Sequence, residues 1–168
     1  MRKSTGLRVV LLAVTIGLSG IWLQVDASAG TAQGASNEDA EGIIFDRQQI
    51  MKQLDEDTET LGEIVSGEQP REKLAATTQA IAKGAHDSVA AFSAQVPGGR
   101  SKADVWSRHG DFMLKLNAFA RGADDLARMG AVDDLNGVTT QVVAALPCKE
   151  CHDAYREPKK PKDAAPKP

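Results

Sequence analysis

The feature that most constrains this chain is a five-residue stretch near its C-terminal end, Cys148-Lys149-Glu150-Cys151-His152. On a helix the two cysteines lie one turn apart and His152 follows one position later, so all three side chains project from one face. Two thiols placed in this way can reach the vinyl groups at a porphyrin edge while the imidazole meets the iron. The C-x-x-C-H spacing therefore predicts one covalently attached c-type haem, bound through Cys148 and Cys151 with His152 as proximal iron ligand.

Three other interpretations of these cysteines fit the sequence less well. A redox dithiol needs a βαβ setting, which the chain does not show. A zinc site needs a second pair of ligands, and the other two histidines, His86 and His109, lack metal-ligand spacing. A structural disulfide between the cysteines suits an exported protein but leaves His152 without a role.

Residues 1–29 have the pattern of an export signal. A basic start precedes an apolar run from Val9 to Leu23, and Ala27-Ser28-Ala29 provides the small residues of a cleavage site. The basic residues are Arg2, Lys3 and Arg8. An uncleaved anchor is the alternative, but the run is shorter than the ~20 residues that a spanning helix needs. We expect cleavage after Ala29 and no membrane span in the mature chain.

Charge and composition narrow the class of protein further. The full chain has a formal net charge of −3, and loss of the leader removes three basic residues and Asp26, which leaves −5. An acidic domain of this kind is a poor candidate for binding nucleic acid. Aromatic residues make up only 4% of the chain, so an aliphatic core would need additional bulk, which a haem can supply.

Four segments with apolar residues at helical spacing follow the leader. They span about residues 38–66, 70–95, 101–130 and 132 to the haem motif. Pro70 is expected as the first residue of the second helix, and Ser101 with Asp104 as a capping box that opens the third. The apolar positions are Ile44, Met51, Leu54, Leu61 and Val65; Leu74, Ile81, Ala85, Val89 and Phe92; Val105, Phe112, Leu116, Phe119, Ala123 and Leu126; and Leu135, Val138, Val142 and Leu146.

The pattern predicts an all-α fold, an antiparallel four-helix bundle with the c-type haem attached near the C-terminus. The bundle would occupy residues 38–157, after a disordered lead-in at 30–37 and before a disordered Lys/Pro/Ala-rich tail at 158–168. Pro147 directly precedes the first cysteine and removes a backbone hydrogen bond, so we expect the fourth helix to be kinked or interrupted there.

The chain resembles the class II c-type cytochromes, the cytochrome c′ group, over nearly the whole mature domain. The specific match is the C-terminal run from Cys148 to Arg156, which is similar to the haem-binding helix of that family. A second match is Arg47-Gln48-Gln49-Ile50-Met51-Lys52, and a weaker one is Ala103-Asp104-Val105-Trp106. The resemblance implies a periplasmic protein, because haem is attached to such motifs after export in bacteria. It also implies redox partner proteins and admits a homodimer.

The resemblance implies further roles for individual residues. The position four residues after Arg47 faces the distal side of the haem in the family, so Met51 is either a second iron ligand or core filling. Arg47 lies in the helix seam and needs an anion, for which a haem propionate is the natural partner. Gln48 is a further candidate for a propionate contact, and Trp106 for packing at the haem. Arg156 is either a propionate partner or a cation near a helix C-terminus.

Two functions remain open, and the sequence favours the first. The first is a one-electron carrier with a low-spin haem ligated by His152 and Met51. The alternative is a five-coordinate, high-spin protein that binds nitric oxide or carbon monoxide, but that branch has an apolar, non-ligating distal residue where this chain has Met51. We do not expect an enzyme, because no acid–base pair or nucleophile accompanies the motif.

Overall fold

The computed structural model describes residues 37–159, which form six α-helices and no β-strand. The predicted signal peptide, almost all of the lead-in and most of the tail lie outside these residues. A single 3-10 turn at Arg71–Lys73 precedes the second helix. The helices are α1 (Asn37–Ser66), α2 (Leu74–Ser93), α3 (Asp104–Ser107), α4 (His109–Ala131), α5 (Leu135–Ala145) and α6 (Cys148–Tyr155).

The predicted four-helix bundle is confirmed: α1, α2, α4 and the α5–α6 pair are its four members. Helix α2 packs on both α1 and α4, and α4 packs on α5. Aliphatic side chains from these four helices form the larger core cluster. None of the helices in residues 37–159 has the length and apolar character needed to cross a bilayer.

A second, smaller core cluster lies where the short helices α3 and α6 meet the bundle. It is aromatic in character, and its buried members are Phe92, Val105, Phe112, Leu116 and Tyr155. Four aromatic residues of the described part of the chain, Phe92, Trp106, Phe112 and Tyr155, therefore belong to this cluster beside the C-x-x-C-H helix, while the buried residues of the larger cluster are Leu, Ile, Val and Ala.

Several helix boundaries differ from the predicted ones. Pro70 adopts extended backbone angles and precedes a 3-10 turn, so α2 begins at Leu74. Ser101 does not cap the third helix; its backbone forms an isolated antiparallel bridge with Arg156. The predicted third helix is also split at Arg108, whose φ of −123° and ψ of 42° leave the helical region.

The predicted interruption of the fourth helix at Pro147 is observed. Helix α5 begins after its N-cap Asp134, whose side chain accepts from the backbone N–H of Gly137, and it ends at Ala145. Helix α6 then begins at Cys148. A proline lacks the backbone N–H that a continuous helix would use, so a new helix starts with the haem motif in its first turns.

Candidate haem site

Helix α6 presents the three residues of the motif to one cavity. Cys148, Cys151 and His152 all line it, and both cysteines are free thiols. The cavity has a volume of about 340 Å³, which lies in the ~300–1,000 Å³ range of small-molecule sites. The helical spacing of the motif therefore produces the shared orientation that haem attachment requires.

Two other helices form the remaining walls of this cavity. Helix α1 contributes Met51, Leu54, Asp55 and Thr58, and helix α4 contributes Lys115, Leu116, Ala118 and Phe119. Pro147, Glu150 and Ala154 complete the lining beside the motif. The Thr58 hydroxyl donates to the Leu54 carbonyl of its own helix (2.8 Å). The α1 and α4 walls are thus largely apolar, with charged groups from Asp55 and Lys115.

The loop that precedes α3 holds the C-terminal end of α6 in place. The backbone N–H of Lys102 donates to the Tyr155 carbonyl (2.9 Å), and that of Glu157 donates to the Arg100 carbonyl (2.8 Å). The Lys102 ammonium donates to the Asp153 carbonyl (2.8 Å), and the Arg100 guanidinium to the Glu157 carbonyl (3.0 and 2.6 Å). The bonds to the Asp153 and Tyr155 carbonyls satisfy groups that the end of α6 leaves without partners, and the bonds between Arg100 and Glu157 fix the chain just after it.

Tyr155 is an anchor of the motif helix that the sequence analysis did not identify. Its side chain is only 4% exposed, and its hydroxyl donates to Asp111 Oδ2 in α4 (2.7 Å). The ring also packs edge-on against Phe112, with centroids 5.0 Å apart. The sequence signal that could have identified it is the position of Tyr155 one helical turn after Cys151, on the same face of the motif helix.

The surroundings of the cavity favour the neutral forms of the motif side chains. Burial raises the pKa of the Cys151 thiol, and desolvation by the cavity wall raises that of Cys148 although solvent reaches part of this side chain. Burial, and next the Arg156 cation, lower the pKa of His152. A neutral imidazole is the form that binds a metal.

Met51 is the α1 residue for which a position on the distal side of the haem was predicted. It lines the same cavity as His152, although it belongs to α1 and His152 to α6. It is half-buried and packs against both core clusters. Its contacts are compatible with core packing, so its role as an iron ligand stays a prediction.

Arg47 has several hydrogen-bond partners within the protein. It is 4% exposed, and its side chain donates to three backbone carbonyls at the end of α2, those of Ala91 (2.9 Å), Ala94 (2.7 Å) and Val96 (2.6 Å). Its guanidinium carbon lies 4.6 Å from the centre of the Phe92 ring. Arg47 does not line the haem-motif cavity, and its contact with a propionate stays a prediction.

The other predicted haem neighbours also lie away from the cavity lining. Trp106 stacks on Phe92 (6.4 Å) and on His109 (6.3 Å). Gln48 is exposed on α1. Arg156 is exposed, and its backbone pairs with Ser101. Because the charge of Arg156 affects the pKa of His152, its predicted propionate contact stays open.

The two remaining histidines have partners within the protein. His109 Nε2 is 2.8 Å from the Phe92 carbonyl oxygen, and His86 Nε2 is 3.0 Å from Asp124 Oδ1 in α4. Neither histidine was predicted to be an iron ligand. Among the described residues no three His, Cys, Asp or Glu side chains are grouped as a metal site would require.

The residues of the site fit a covalently bound haem. Two thiols at thioether spacing and a neutral imidazole share one cavity with apolar walls from α1 and α4. This donor set matches the covalent and axial attachment of a c-type haem. Pro147, which starts α6 at Cys148, places both thiols within the first turns of the helix.

Comparison with known proteins gives one family and a set of similar folds. A sequence model described as "Cytochrome C′" matches residues 42–156. The fold is similar to a nitric oxide complex of a mutant cytochrome c prime from Alcaligenes xylosoxidans, with a TM-score of 0.66, 24% identity, and coverage of 71% of this chain and 97% of that chain. A ferrous variant of cytochrome c prime from the same organism is also similar, with a TM-score of 0.65, 25% identity, and coverage of 74% of this chain and 98% of that chain. A search of curated proteins found no match.

Proposed function

Because the chain belongs to the cytochrome c′ family, we propose that it is a periplasmic monohaem protein that binds nitric oxide or carbon monoxide at a five-coordinate iron. The support for gas binding is that solved structures of the same fold include nitric oxide complexes of cytochrome c prime. Residues 1–29 support export, since their pattern is that of a signal peptide.

One haem c is covalently attached per chain, as in the family. Its iron supplies a site for a diatomic ligand and for exchange of one electron. Cys148 and Cys151 would hold the group, and His152 would donate to its iron. Burial and the Arg156 cation lower the pKa of His152, which favours the neutral imidazole needed for that role.

The cavity walls from α1 and α4 suit a small, uncharged ligand. Leu54, Leu116 and Phe119 are apolar and contribute no hydrogen-bond donor, while Thr58 directs its hydroxyl to its own helix. Such walls exclude water and do not compensate a bound charge. Nitric oxide and carbon monoxide need neither a proton nor a counter-ion from the wall.

A second candidate function is supported by one observation: Met51 lines the cavity together with His152. If the Met51 thioether occupied the sixth position, the site would be a low-spin electron carrier, because Met/His ligation stabilises the reduced state and blocks gas entry. The two candidates therefore differ in a single bond. The family comparison favours the open position over this low-spin pairing.

Optical spectroscopy of the purified protein tests the choice. We expect a high-spin ferric spectrum at neutral pH and prompt carbon monoxide binding after reduction. The Met51→Leu substitution should change neither the spectrum nor the binding by much. Met129→Leu is the matched control, because Met129 packs in the aliphatic core and not at the cavity. The opposite outcome is a low-spin ferric spectrum with a near-infrared sulfur-to-iron band that Met51→Leu alone converts to high-spin. That result would show that the protein is the electron carrier and not the gas-binding protein.

A further inference from the structure

Tyr155 combines three properties that structural anchoring alone does not require. It is the single tyrosine of the chain, it lies one helical turn from the haem-bearing Cys151, and its hydroxyl donates to a carboxylate, Asp111 Oδ2 (2.7 Å). The phenol is buried, whereas 51% of the Asp111 side chain is exposed. A proton that moves from the phenol to Asp111 can therefore continue to solvent.

A series of aromatic rings connects Tyr155 to the protein surface. Tyr155 contacts Phe112 (centroids 5.0 Å apart), Phe112 contacts Phe92 (5.2 Å), and Phe92 contacts Trp106 (6.4 Å). Trp106 is half-buried at the far end and stacks on His109. The tyrosine and the tryptophan of the described residues, which are the aromatic side chains most easily oxidised, thus belong to one set of contacting rings.

We propose that Tyr155 and Trp106 form a redox relay that carries an oxidising equivalent from the haem to the surface when the protein meets hydrogen peroxide. Reduction of one hydrogen peroxide to two waters takes two electrons and two protons. The protein begins in its reduced state: the ferrous iron supplies one electron and becomes ferric, Tyr155 supplies the other electron, and two protons from solvent complete the two waters. This inference rests on the open sixth position of the proposed function.

The step at Tyr155 is a coupled loss of an electron and a proton. The phenol ring gives its electron toward the haem, and its proton passes along the 2.7 Å hydrogen bond to the Asp111 carboxylate. The products are a neutral tyrosyl radical and a protonated Asp111. Trp106 then gives one electron to the radical and its indole proton to solvent, and Tyr155 recovers its proton from Asp111.

The surroundings of Tyr155 explain why its proton must leave. Loss of an electron alone would leave a buried cation, which is costly in an apolar environment. The Arg108 guanidinium carbon lies 5.8 Å from the centre of the Tyr155 ring and makes a positive ring still less favourable. Asp111 accepts the proton, so the oxidised side chain stays neutral and the only change of charge is the neutralisation of an exposed carboxylate.

Freeze-quenched electron paramagnetic resonance of the reduced holoprotein after addition of hydrogen peroxide tests the relay. We expect a tyrosyl signal that Tyr155→Phe abolishes and that forms more slowly in Asp111→Asn, because an amide is a far weaker proton acceptor. Trp106→Phe should prolong the tyrosyl signal and remove the oxidised Trp106 seen by peptide mass spectrometry. Phe45→Leu is the control, since Phe45 is 59% exposed and outside the ring series.

Two measurements separate failure of the relay from failure of the proposed function. Absence of prompt carbon monoxide binding in the unmutated protein counts against the open position, and the relay is then measured in Met51→Leu. Peroxide-induced spectral change without a tyrosyl signal in Met51→Leu would overturn the relay, as would an unchanged signal in Tyr155→Phe. If Tyr155→Phe does not fold, an unaltered tyrosyl lifetime in Trp106→Phe is the overturning result.

Discussion

At the scale of single residues, Arg47 shows how one buried cation can fix two helices. The last carbonyls of a helix have no partner within it, and three carbonyls at and after the end of α2 are satisfied by one guanidinium from α1. The same group lies over the Phe92 and Trp106 rings, at 4.6 and 5.1 Å. Arginine suits this position because its donors form a planar fork and its face stacks on aromatic rings.

Replacing Arg47 should therefore destabilise the bundle. We expect Arg47→Met to lower the free energy of unfolding by about 3 kcal/mol, since hydrogen bonds to charged groups contribute roughly 1.5–3 kcal/mol each and the freed carbonyls regain some water. Urea denaturation of the holoprotein measures the change. Gln48→Met, at the exposed neighbouring position, should stay within about 0.5 kcal/mol. Equal losses in the two variants would show that the three carbonyl contacts are unimportant.

The contacts of Arg47 also show why its partner could not be predicted. Its position in the helix seam was taken to require an anion, whereas the acceptors observed are backbone carbonyls that lie 44 to 49 residues away in sequence. Helical periodicity predicts the face of the helix on which a side chain lies, but it does not predict which distant segment of the chain packs against that face. The motif residues were predictable because Cys148, Cys151 and His152 are neighbours on one helix, where spacing alone sets orientation.

At the scale of helices, the close contact between α4 and α5 helps to position the motif helix that follows α5. A Cβ atom at Gly122 in α4 would lie 2.6 Å from the Ala145 carbonyl oxygen in α5. This distance is shorter than side-chain atoms tolerate, so glycine is required for the two backbones to approach. Ala145 ends α5, three residues before Cys148, and a displaced Ala145 would move the motif.

Replacement by alanine should have opposite effects on the stability of the protein at two glycines. Gly122→Ala should destabilise the protein by about 1–3 kcal/mol through overpacking. Gly62→Ala, inside α1 with no neighbouring atom within 4 Å of the added methyl group, should stabilise it by roughly 0.5–1 kcal/mol through helix propensity. Thermal unfolding monitored by circular dichroism measures both. A stabilising Gly122→Ala would mean that the two helices can separate without cost.

The sequence predicts a helix boundary where that boundary depends on nearby residues alone. The apolar spacing in α1 and the proline at 147 gave the first helix and the break before the motif. The split at Arg108 and the bridge between Ser101 and Arg156 were missed. Both arise where α3 and its preceding loop pack on α6, and these tertiary contacts override the capping signal of Ser101.

At the scale of the whole molecule, the haem cavity borders both core clusters of the bundle, since Leu54 of the aliphatic cluster and Leu116 of the aromatic cluster line it. Leu61, Ile64, Leu74 and Ile81 are almost completely buried in the aliphatic cluster. The cavity lies between α1, α4 and α6, beside the aromatic cluster. Met51 packs against both clusters and also lines the cavity. Filling of the cavity is thereby linked to the packing of the bundle.

The haem should therefore be part of the stability of the fold. Unfilled core volume costs about 24 cal/mol per Å³, so the 340 Å³ cavity corresponds to about 8 kcal/mol, an upper bound because its mouth opens to water. A domain of this size has a total stability of roughly 5–15 kcal/mol. We expect the chain without haem to keep helical circular dichroism but to lose cooperative unfolding and to bind a hydrophobic dye.

The apoprotein for this measurement is the mature chain made in the cytoplasm, where haem is not attached. A variant with Cys148→Ala and Cys151→Ala, made in the same way, is the matched control, because it separates the missing haem from any effect of free thiols. Both should give the same broad transition. A sharp transition at the melting temperature of the holoprotein would show that the bundle closes the cavity by itself, and that its aliphatic core is sufficient without the haem.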